Sequence, residues 1–248
     1  MSGVDEARIA REIEHGKWLE ENDPESLWGW TKPAGRIRAH RRAELIIKQG
    51  GLRAGVRVME VGCGSGMFTE VFAATGAHIV AIDVSPHLLK RARERGLPKD
   101  RVEFVHGPFE AYQGNQEFDA VIGSSVLHHL DVTEALRNIK RLLRPGGRMA
   151  FAEPNYLNPQ VFLERKFHHI FPFFDYVSED ETAFVRWSVE RRLRDFAFWD
   201  IQSRPFDWLH PATPPRFISI IQKIGWILES TPVIREFAGS ILISGRKP

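Results

Sequence analysis

The chain of 248 residues is 43% hydrophobic, which suffices for one full core with terminal additions. Its 34 Lys and Arg residues against 32 Asp and Glu leave a net charge of +2, so the chain lacks a strong field for capturing nucleic acid, and no nucleic-acid partner is expected. The single cysteine, and the lack of any Cys/His set with zinc-site spacing, exclude an internal disulfide and a structural zinc site and predict a cytoplasmic protein without a bound metal.

Helical patterns fill the N-terminal part of the chain. They cover Asp5 to Glu21 and Ile37 to Gln49, and Gly50-Gly51 ends the second. The first residues carry charges every few positions, and no uncharged stretch of bilayer length follows, so neither a secretory signal nor a membrane span is expected. We predict that residues 1–50 form an N-terminal helical cap.

From Val56 onward, short runs rich in β-branched residues alternate with helical stretches, which is typical of βαβ units. Residues 51–248 are therefore predicted to form a doubly wound α/β domain, with a mostly parallel seven-stranded sheet and an antiparallel edge strand. The predicted strands are Val56 to Val61, His78 to Ile82, Val102 to Val105, Phe118 to Ile122, Arg148 to Ala152, Trp199 to Phe206 and Ser240 to Ser244. The predicted helices are Met67 to Thr75, Pro86 to Arg95, Val132 to Leu143, Val189 to Phe196 and Arg216 to Glu229.

An aromatic-rich segment, VFLERKFHHIFPFFDY at residues 161–176, interrupts this alternation. We predict an inserted lid at about residues 155–198, over the carboxyl edge of the sheet. Its aromatic side chains would roof an apolar pocket, or would form a satellite core under the insertion. These side chains are Phe162, Phe167, Phe171, Phe173, Phe174 and Tyr176.

The last predicted helix carries a single apolar stripe. Core packing is the expected reason, because a peripheral membrane helix normally has a more basic polar face. A weak membrane association nevertheless stays among the open partners, as does the oligomeric state. The stripe consists of Phe217, Ile220, Ile221, Ile224 and Leu228.

A glycine-rich loop, VMEVGCGSGMF at residues 58–68, lies where the first predicted strand ends and a helix begins. Gly62, Gly64 and Gly66 permit positive φ and a close approach of the backbone to a cofactor. Strand-to-helix turns are also rich in glycine without binding anything, so the loop alone leaves both interpretations open. The dinucleotide fingerprint GxGxxG would need a further glycine where Met67 stands, which weakens a nicotinamide or flavin assignment.

Asp83 follows the predicted strand HIVAI and precedes Val84-Ser85-Pro86. Its carboxylate should project from the carboxyl end of the second strand, beside the glycine loop, where it can accept both hydroxyls of a ribose. The alternative is that Asp83, together with Ser85, caps the helix that begins at Pro86.

Four motifs, taken in order, resemble those of the class I S-adenosylmethionine (SAM)-dependent methyltransferases. They are VMEVGCGSG, VAIDVS, FDAVIGSSVLHHL and LLRPGGRMAFAEP, and the resemblance covers about Val56 to Pro154. It implies SAM as the cofactor and methyl transfer to an oxygen, nitrogen or carbon of a small, partly apolar acceptor. A lipid-linked or isoprenoid acceptor is a variant of this hypothesis.

The resemblance also implies roles for individual residues. Glu60 would hold the loop and the methionine amino group of SAM. Gly62, Gly64 and Gly66 would form the wall along the methionine and the ribose, and Asp83 would bind the ribose hydroxyls.

Three further residues match the family pattern. Val84 would pack on the adenine face, and the backbone around Ser124 and Ser125 would meet the methionine moiety. The chain departs from the family pattern where an acid usually binds the adenine amino group. It has Gly107-Pro108-Phe109 where many members have Gly-Asp-Ala. The backbone at Phe109 would then recognise adenine alone, or Glu110 would replace the missing acid.

Two side chains are candidates for a direct part in catalysis. His128 follows the fourth strand, and histidine has a pKa suited to a general base. Glu153 ends the fifth strand, and the carboxyl ends of parallel strands surround the crevice of such folds. Packing, capping or pairing with an arginine would explain either residue equally well, and alignment of the reactants alone can support methyl transfer.

Two other classes of function stay open. One is a nicotinamide-dependent oxidoreductase of the Rossmann type. The other is a methyltransferase-like protein that binds SAM without turnover. A nucleic-acid methyltransferase is disfavoured, because GSSVLHHL stands after the fourth strand where an Asn-Pro-Pro-Tyr/Phe sequence would be expected.

Overall fold

The computed structural model describes residues 5–167 and 183–248, and its seven strands form one sheet in the order β3-β2-β1-β4-β5-β7-β6. The strands are β1 (Arg57–Val61), β2 (His78–Asp83), β3 (Val102–His106), β4 (Phe118–Ser124), β5 (Leu143–Pro154), β6 (Trp199–Phe206) and β7 (Ser240–Arg246). The helices are α1 (Glu6–Glu21), α2 (Pro24–Leu27), α3 (Pro33–Gly50), α4 (Met67–Ala73), α5 (Pro86–Glu94), α6 (Val132–Leu142), α7 (Pro159–Phe167), α8 (Arg186–Asp195) and α9 (Pro215–Ser230).

Strands β1 to β5 are parallel, and β7 runs antiparallel to both β5 and β6. The predicted α/β fold with an antiparallel edge is therefore confirmed. Strand β1 lies between β2 and β4, so the strand order reverses there and the carboxyl ends of β1 and β4 diverge. Ligands of doubly wound sheets bind in such a crevice.

The sheet is buried on both faces, which explains why its strands read as continuous apolar runs. Met59, Val121 and Phe151 lie in one apolar cluster with side chains of α6 and α8. Val58 and Ile122 point to the other face and pack with Ile46 of α3. Each face thus has its own core.

The N-terminal helices occupy two positions. Helix α3 packs on the sheet, where Ala43 and Ile46 are fully buried. Helix α1 crosses α5 so closely that a Cβ on Gly16 would lie 2.3 Å from Ser85 Oγ. The division into a cap at residues 1–50 and a domain at residues 51–248 stays a prediction.

The prediction that the apolar stripe of the last helix packs in the core is wrong for three of its five side chains, whereas Ile221 packs against a buried cluster. Phe217, Ile220 and Ile224 are exposed, and α9 packs on the protein through an adjacent face that carries Ile218, Gly225 and Glu229. The inward face suits this packing because Gly225 lets Trp208 approach and Glu229 pairs with Arg41. The sequence periodicity was correct, but periodicity alone does not say which face meets the sheet.

The predicted aromatic lid lies mostly outside the described residues. Phe162 on α7 is half-buried and packs edge-on against Tyr156, with 5.4 Å between ring centroids. The side chain of Phe167 and the residues from Phe171 to Tyr176 lie outside the described part of the chain. Over residues 5–167 and 183–248, no helix is both long enough and apolar enough to cross a bilayer.

Candidate active site

The glycine loop begins directly after β1, and its three glycines all have positive φ. A Cβ on Gly62 would lie 2.2 Å from Val126 Cγ2, and a Cβ on Gly66 would lie 2.9 Å from the Ala92 Cβ. No larger side chain fits at these two positions without a shift of the neighbouring element. Gly64 has more space, since an added Cβ would lie 3.5 Å from Trp28, an ordinary van der Waals contact.

Asp83 ties the glycine loop to the end of β2. Its Oδ2 accepts a hydrogen bond from the Gly64 amide at 2.7 Å, and its Oδ1 accepts one from the Ser85 amide at 2.8 Å. Burial raises the pKa of Asp83, and the two backbone donors oppose that shift. Each carboxylate oxygen retains a second lone pair, so both oxygens can still accept from a ligand hydroxyl. The capping and ligand-binding interpretations are therefore compatible.

A cavity of about 490 Å³ opens at the carboxyl ends of the central strands, a volume typical of small-molecule sites. The structure brings most of the sequence-predicted residues to its wall, whereas Glu60, Gly66 and Glu153 lie behind it. The predicted residues on the wall are Gly62, Gly64, Asp83, Val84, Phe109, Ser124, Ser125 and His128.

Glu60 lies beneath the loop and is only 2% exposed. Burial raises its pKa to about 8, and the nearby Asp83 adds to this shift. At neutral pH its carboxyl group is mostly protonated and can donate as well as accept a hydrogen bond. Its place behind the wall suits support of the loop.

The cavity wall after β3 is formed by Pro108, Phe109 and Glu110. Glu110 Oε1 accepts from Arg8 Nη2 at 2.5 Å and from the Asp131 amide at 3.2 Å. Among the described residues, none forms a hydrogen bond with its buried Oε2. An unsatisfied acceptor at this edge fits a ligand donor such as the adenine amino group, and it lies two residues after Pro108, which stands where the family motif usually has its acid.

Residues of the N-terminal helices form the opposite wall, and the sequence did not identify them. Trp28 and Trp30 line the cavity, although the sequence assigned them no role. Glu25 accepts from Ser65 Oγ at 2.9 Å, which joins α2 to the glycine loop. Glu12 lies 3.2 Å from His129 Nδ1 and joins α1 to the β4 side. The cavity is therefore enclosed between the sheet and the N-terminal helices.

His128 and Glu153 form a buried pair. His128 Nδ1 lies 2.6 Å from Glu153 Oε2, and Glu153 Oε1 accepts from the amides of Val126 and Leu127 at 3.1 and 3.0 Å. Burial raises the pKa of Glu153 to about 7 and lowers the pKa of His128 well below its ordinary value. The pair thus forms a buried hydrogen bond between two ionisable groups, of which His128 lines the cavity.

Arg42 is a buried cation on α3 that the sequence pattern did not identify. It is 3% exposed, and it donates to Ser125 Oγ at 2.9 Å, to the Ala152 carbonyl at 2.8 Å and to Ser240 Oγ at 2.6 Å. Burial lowers its pKa to about 10. Arg42 thus joins the ends of β4, β5 and β7 behind the cavity, whereas His40 on the same helix is exposed.

A family model described as a methyltransferase domain matches residues 59–151. A ubiquinone biosynthesis O-methyltransferase of Xanthomonas oryzae is 34% identical over 161 residues, which cover 57% of this chain and 65% of the relative. A demethylmenaquinone methyltransferase of Clavibacter sepedonicus is 36% identical over 124 residues, which cover 48% of each chain. The chain thus spans less than two thirds of the length of these curated relatives.

Solved structures share the fold. A putative methyltransferase of Haloferax volcanii, in complex with a methyltransferase activator, has a TM-score of 0.69 and 20% identity, with 95% of this chain and 98% of that chain covered. An N-methyltransferase of Bradyrhizobium japonicum in complex with S-adenosyl-L-homocysteine has a TM-score of 0.58 and 19% identity, with 88% and 89% covered. The matched domain, the sheet order and the glycine loop are similar to those of class I SAM-dependent methyltransferases.

Proposed function

We propose that the protein transfers a methyl group from SAM to a small, partly apolar acceptor. The observation that carries the proposal is the position of the Asp83 carboxylate. It is hydrogen-bonded to the glycine loop and lines the cavity at the carboxyl ends of the central strands. Asp83 would accept the ribose hydroxyls, and Glu110 Oε2 would accept from the adenine amino group. Bound SAM supplies an electrophilic methyl group on a sulfonium.

The reaction forms a bond between the methyl carbon and the acceptor atom and breaks the bond between that carbon and sulfur. The acceptor loses a proton, and positive charge is lost from sulfur. His128 lines the cavity and is neutral at pH 7 because burial lowers its pKa, so it can take this proton. Glu153 holds His128 through Nδ1 and shares the proton.

The acceptor side of the cavity favours an apolar molecule. Leu27, Trp28, Trp30 and Phe68 line it, while Gln160 and His210 supply a few polar groups. One curated relative is named for ubiquinone biosynthesis, and the other is named a demethylmenaquinone methyltransferase. A phenolic or quinol ring with an isoprenoid chain is therefore the acceptor variant that we favour.

The domain organisation belongs to the same proposal. Residues 1–50 would close the cavity over the cofactor, and residues 51–248 would carry the sheet and the glycine loop. The inserted segment at about residues 155–198 would cover the acceptor. We also propose a cytoplasmic location, because the single cysteine suits a reducing compartment.

A transfer assay with SAM labelled on its methyl group tests the proposal. The panel should contain prenylated catechols and quinols, the same rings without the prenyl chain, and small amines. We expect label in a prenylated phenolic product. Transfer only to amines would contradict the favoured acceptor, and binding of SAM without transfer to any acceptor would favour a non-catalytic SAM-binding protein.

A further inference from the structure

Helix α9 presents an apolar stripe to solvent. Phe217, Ile220, Ile224 and Ile227 are 44%, 56%, 47% and 66% exposed. Their spacing of three and four residues places them on one side of the helix. An isolated exposed isoleucine needs no explanation. A continuous apolar stripe along a 16-residue helix, in contrast, marks a surface that contacts another protein or a membrane.

The charged residues of α9 indicate what kind of surface this stripe contacts. Arg216 and Lys223 are both exposed, and the Arg216 guanidinium lies 4.8 Å from the centroid of the Phe217 ring. The one acidic residue of the helix, Glu229, faces inward and binds Arg41 through both carboxylate oxygens, at 2.7 and 2.6 Å. The outward surface of α9 is therefore apolar with basic residues and without a carboxylate.

The segment that follows the helix extends this apolar character. Val233 is 72% exposed and has a φ of +69°, an unusual backbone conformation for a β-branched residue. Ile234 and Phe237, in the short 3-10 helix after it, are 41% and 42% exposed. These side chains add a second apolar element at the C-terminal end of α9.

We propose that α9 and residues 231–237 form a docking surface for an anionic lipid bilayer, with the helix lying in the plane of the interface. Apolar side chains would enter the acyl boundary, and Arg216 and Lys223 would contact the phosphates. The N-terminal end of α9 lies near the cavity, because His210, Pro211 and Ala212 line the cavity and precede Pro215. Docking there would bring the cavity close to molecules dissolved in the bilayer.

Vesicle sedimentation of the full chain tests this surface. Vesicles of phosphatidylcholine alone are compared with vesicles of phosphatidylcholine mixed with phosphatidylglycerol. We expect binding to the mixed vesicles, a loss of about tenfold in Ile220→Glu/Ile227→Glu, and weaker binding of Arg216→Gln/Lys223→Gln. Trp187→Glu is the matched control, since Trp187 on α8 is 48% exposed and its loss should leave binding unchanged.

The same variants are titrated with S-adenosyl-L-homocysteine, and unchanged affinity shows that the fold and the cofactor site are intact, whatever reaction the protein catalyses. Failure of the wild-type chain to bind either vesicle would overturn the proposal, as would equal binding by Ile220→Glu/Ile227→Glu. Equal binding to both vesicles would overturn the assignment of an anionic surface. A dimer in sedimentation velocity that Ile220→Glu/Ile227→Glu dissociates would assign the surface to a second copy of the chain.

Discussion

Two buried carboxylates, Asp83 on the cavity wall and Glu153 behind it, use their hydrogen bonds differently. Asp83 accepts one backbone amide on each oxygen, from Gly64 and from Ser85. Glu153 accepts two backbone amides on Oε1 alone and keeps Oε2 for His128. The first arrangement fixes an acceptor in place, which suits binding. The second couples a carboxylate to an ionisable partner, which suits proton transfer.

The largest effect is expected at Gly62, where the two sides of the site meet. Gly62 packs against Val126, whose amide donates to Glu153. Gly62→Ala would combine a clash with a strained positive φ and should lower the free energy of unfolding by about 2 to 6 kcal/mol. Urea denaturation measures this change.

Gly55→Ala is the matched control for that substitution. Gly55 also has a positive φ, of +82°, but its Cβ would meet nothing within 4 Å. Only the backbone strain remains, which should cost about 1 to 2 kcal/mol. An equal decrease in the free energy of unfolding of the two variants would show that the close packing of Gly62 against Val126 does not affect stability.

The next effect concerns turnover. Glu153→Gln replaces the ionisable carboxyl group that contacts His128 by an amide of the same size, so kcat should fall by about 100-fold or more, while the Kd of SAM changes less than about threefold. The pH profile of kcat should flatten near pH 7, since the pKa of Glu153 is raised to about 7. Stopped assays between pH 6 and pH 9 measure both quantities.

Glu229→Gln provides the comparison for Glu153. Glu229 is also buried and also accepts a backbone amide, from Asp207 at 2.9 Å, but it lies away from the cavity wall. Its loss should lower stability and leave kcat within about threefold. A similar fall of kcat in both variants would make the contribution of Glu153 purely structural.

Asp83 should control affinity instead of turnover. Asp83→Ala loses charge-assisted hydrogen bonds of about 1.5 to 3 kcal/mol, so the Kd of SAM should rise by about 10- to 150-fold. Asp119→Ala is the control, because Asp119 accepts from the Arg57 amide at 2.7 Å at the opposite end of the sheet. An unchanged Kd in Asp83→Ala would remove this residue from the site.

The smallest effect on function is expected at Glu60, which lies behind both sides of the site. Its folded pKa of about 8 exceeds its ordinary value of 4.5, so the folded state keeps a proton that the unfolded state loses. The contribution of Glu60 to the free energy of unfolding therefore decreases as the pH rises from 4.5 to 8. Glu60→Gln should remove that part of the pH dependence in urea denaturation and gain stability over the wild type at pH 9. A parallel pH dependence in both proteins would contradict the raised pKa.

The sequence predicted the parallel sheet and its cofactor edge well, because both depend on local patterns. Strands buried on both faces read as apolar runs, and the loop at Gly62 needs glycine for reasons internal to one βα turn. Asp83 could be placed because the residue after a parallel strand necessarily lies at the carboxyl edge.

The other wall of the cavity could not be predicted in this way. Trp28 reaches the glycine loop from a distant segment, and Arg42 is buried only because three strand ends supply its acceptors. The outward face of α9 had the right period, but the choice between its two faces depends on a tertiary contact between Gly225 and Trp208. Contacts between distant segments cannot be inferred from the spacing of residues along the sequence.

Calorimetric titration with S-adenosyl-L-homocysteine tests the central claim most directly, since it reports on the glycine loop and Asp83 without requiring a known acceptor. The account predicts one binding site in the wild-type chain and an affinity reduced by about 10- to 150-fold in Asp83→Ala. Folded wild-type protein that gives no binding heat at millimolar ligand would contradict it.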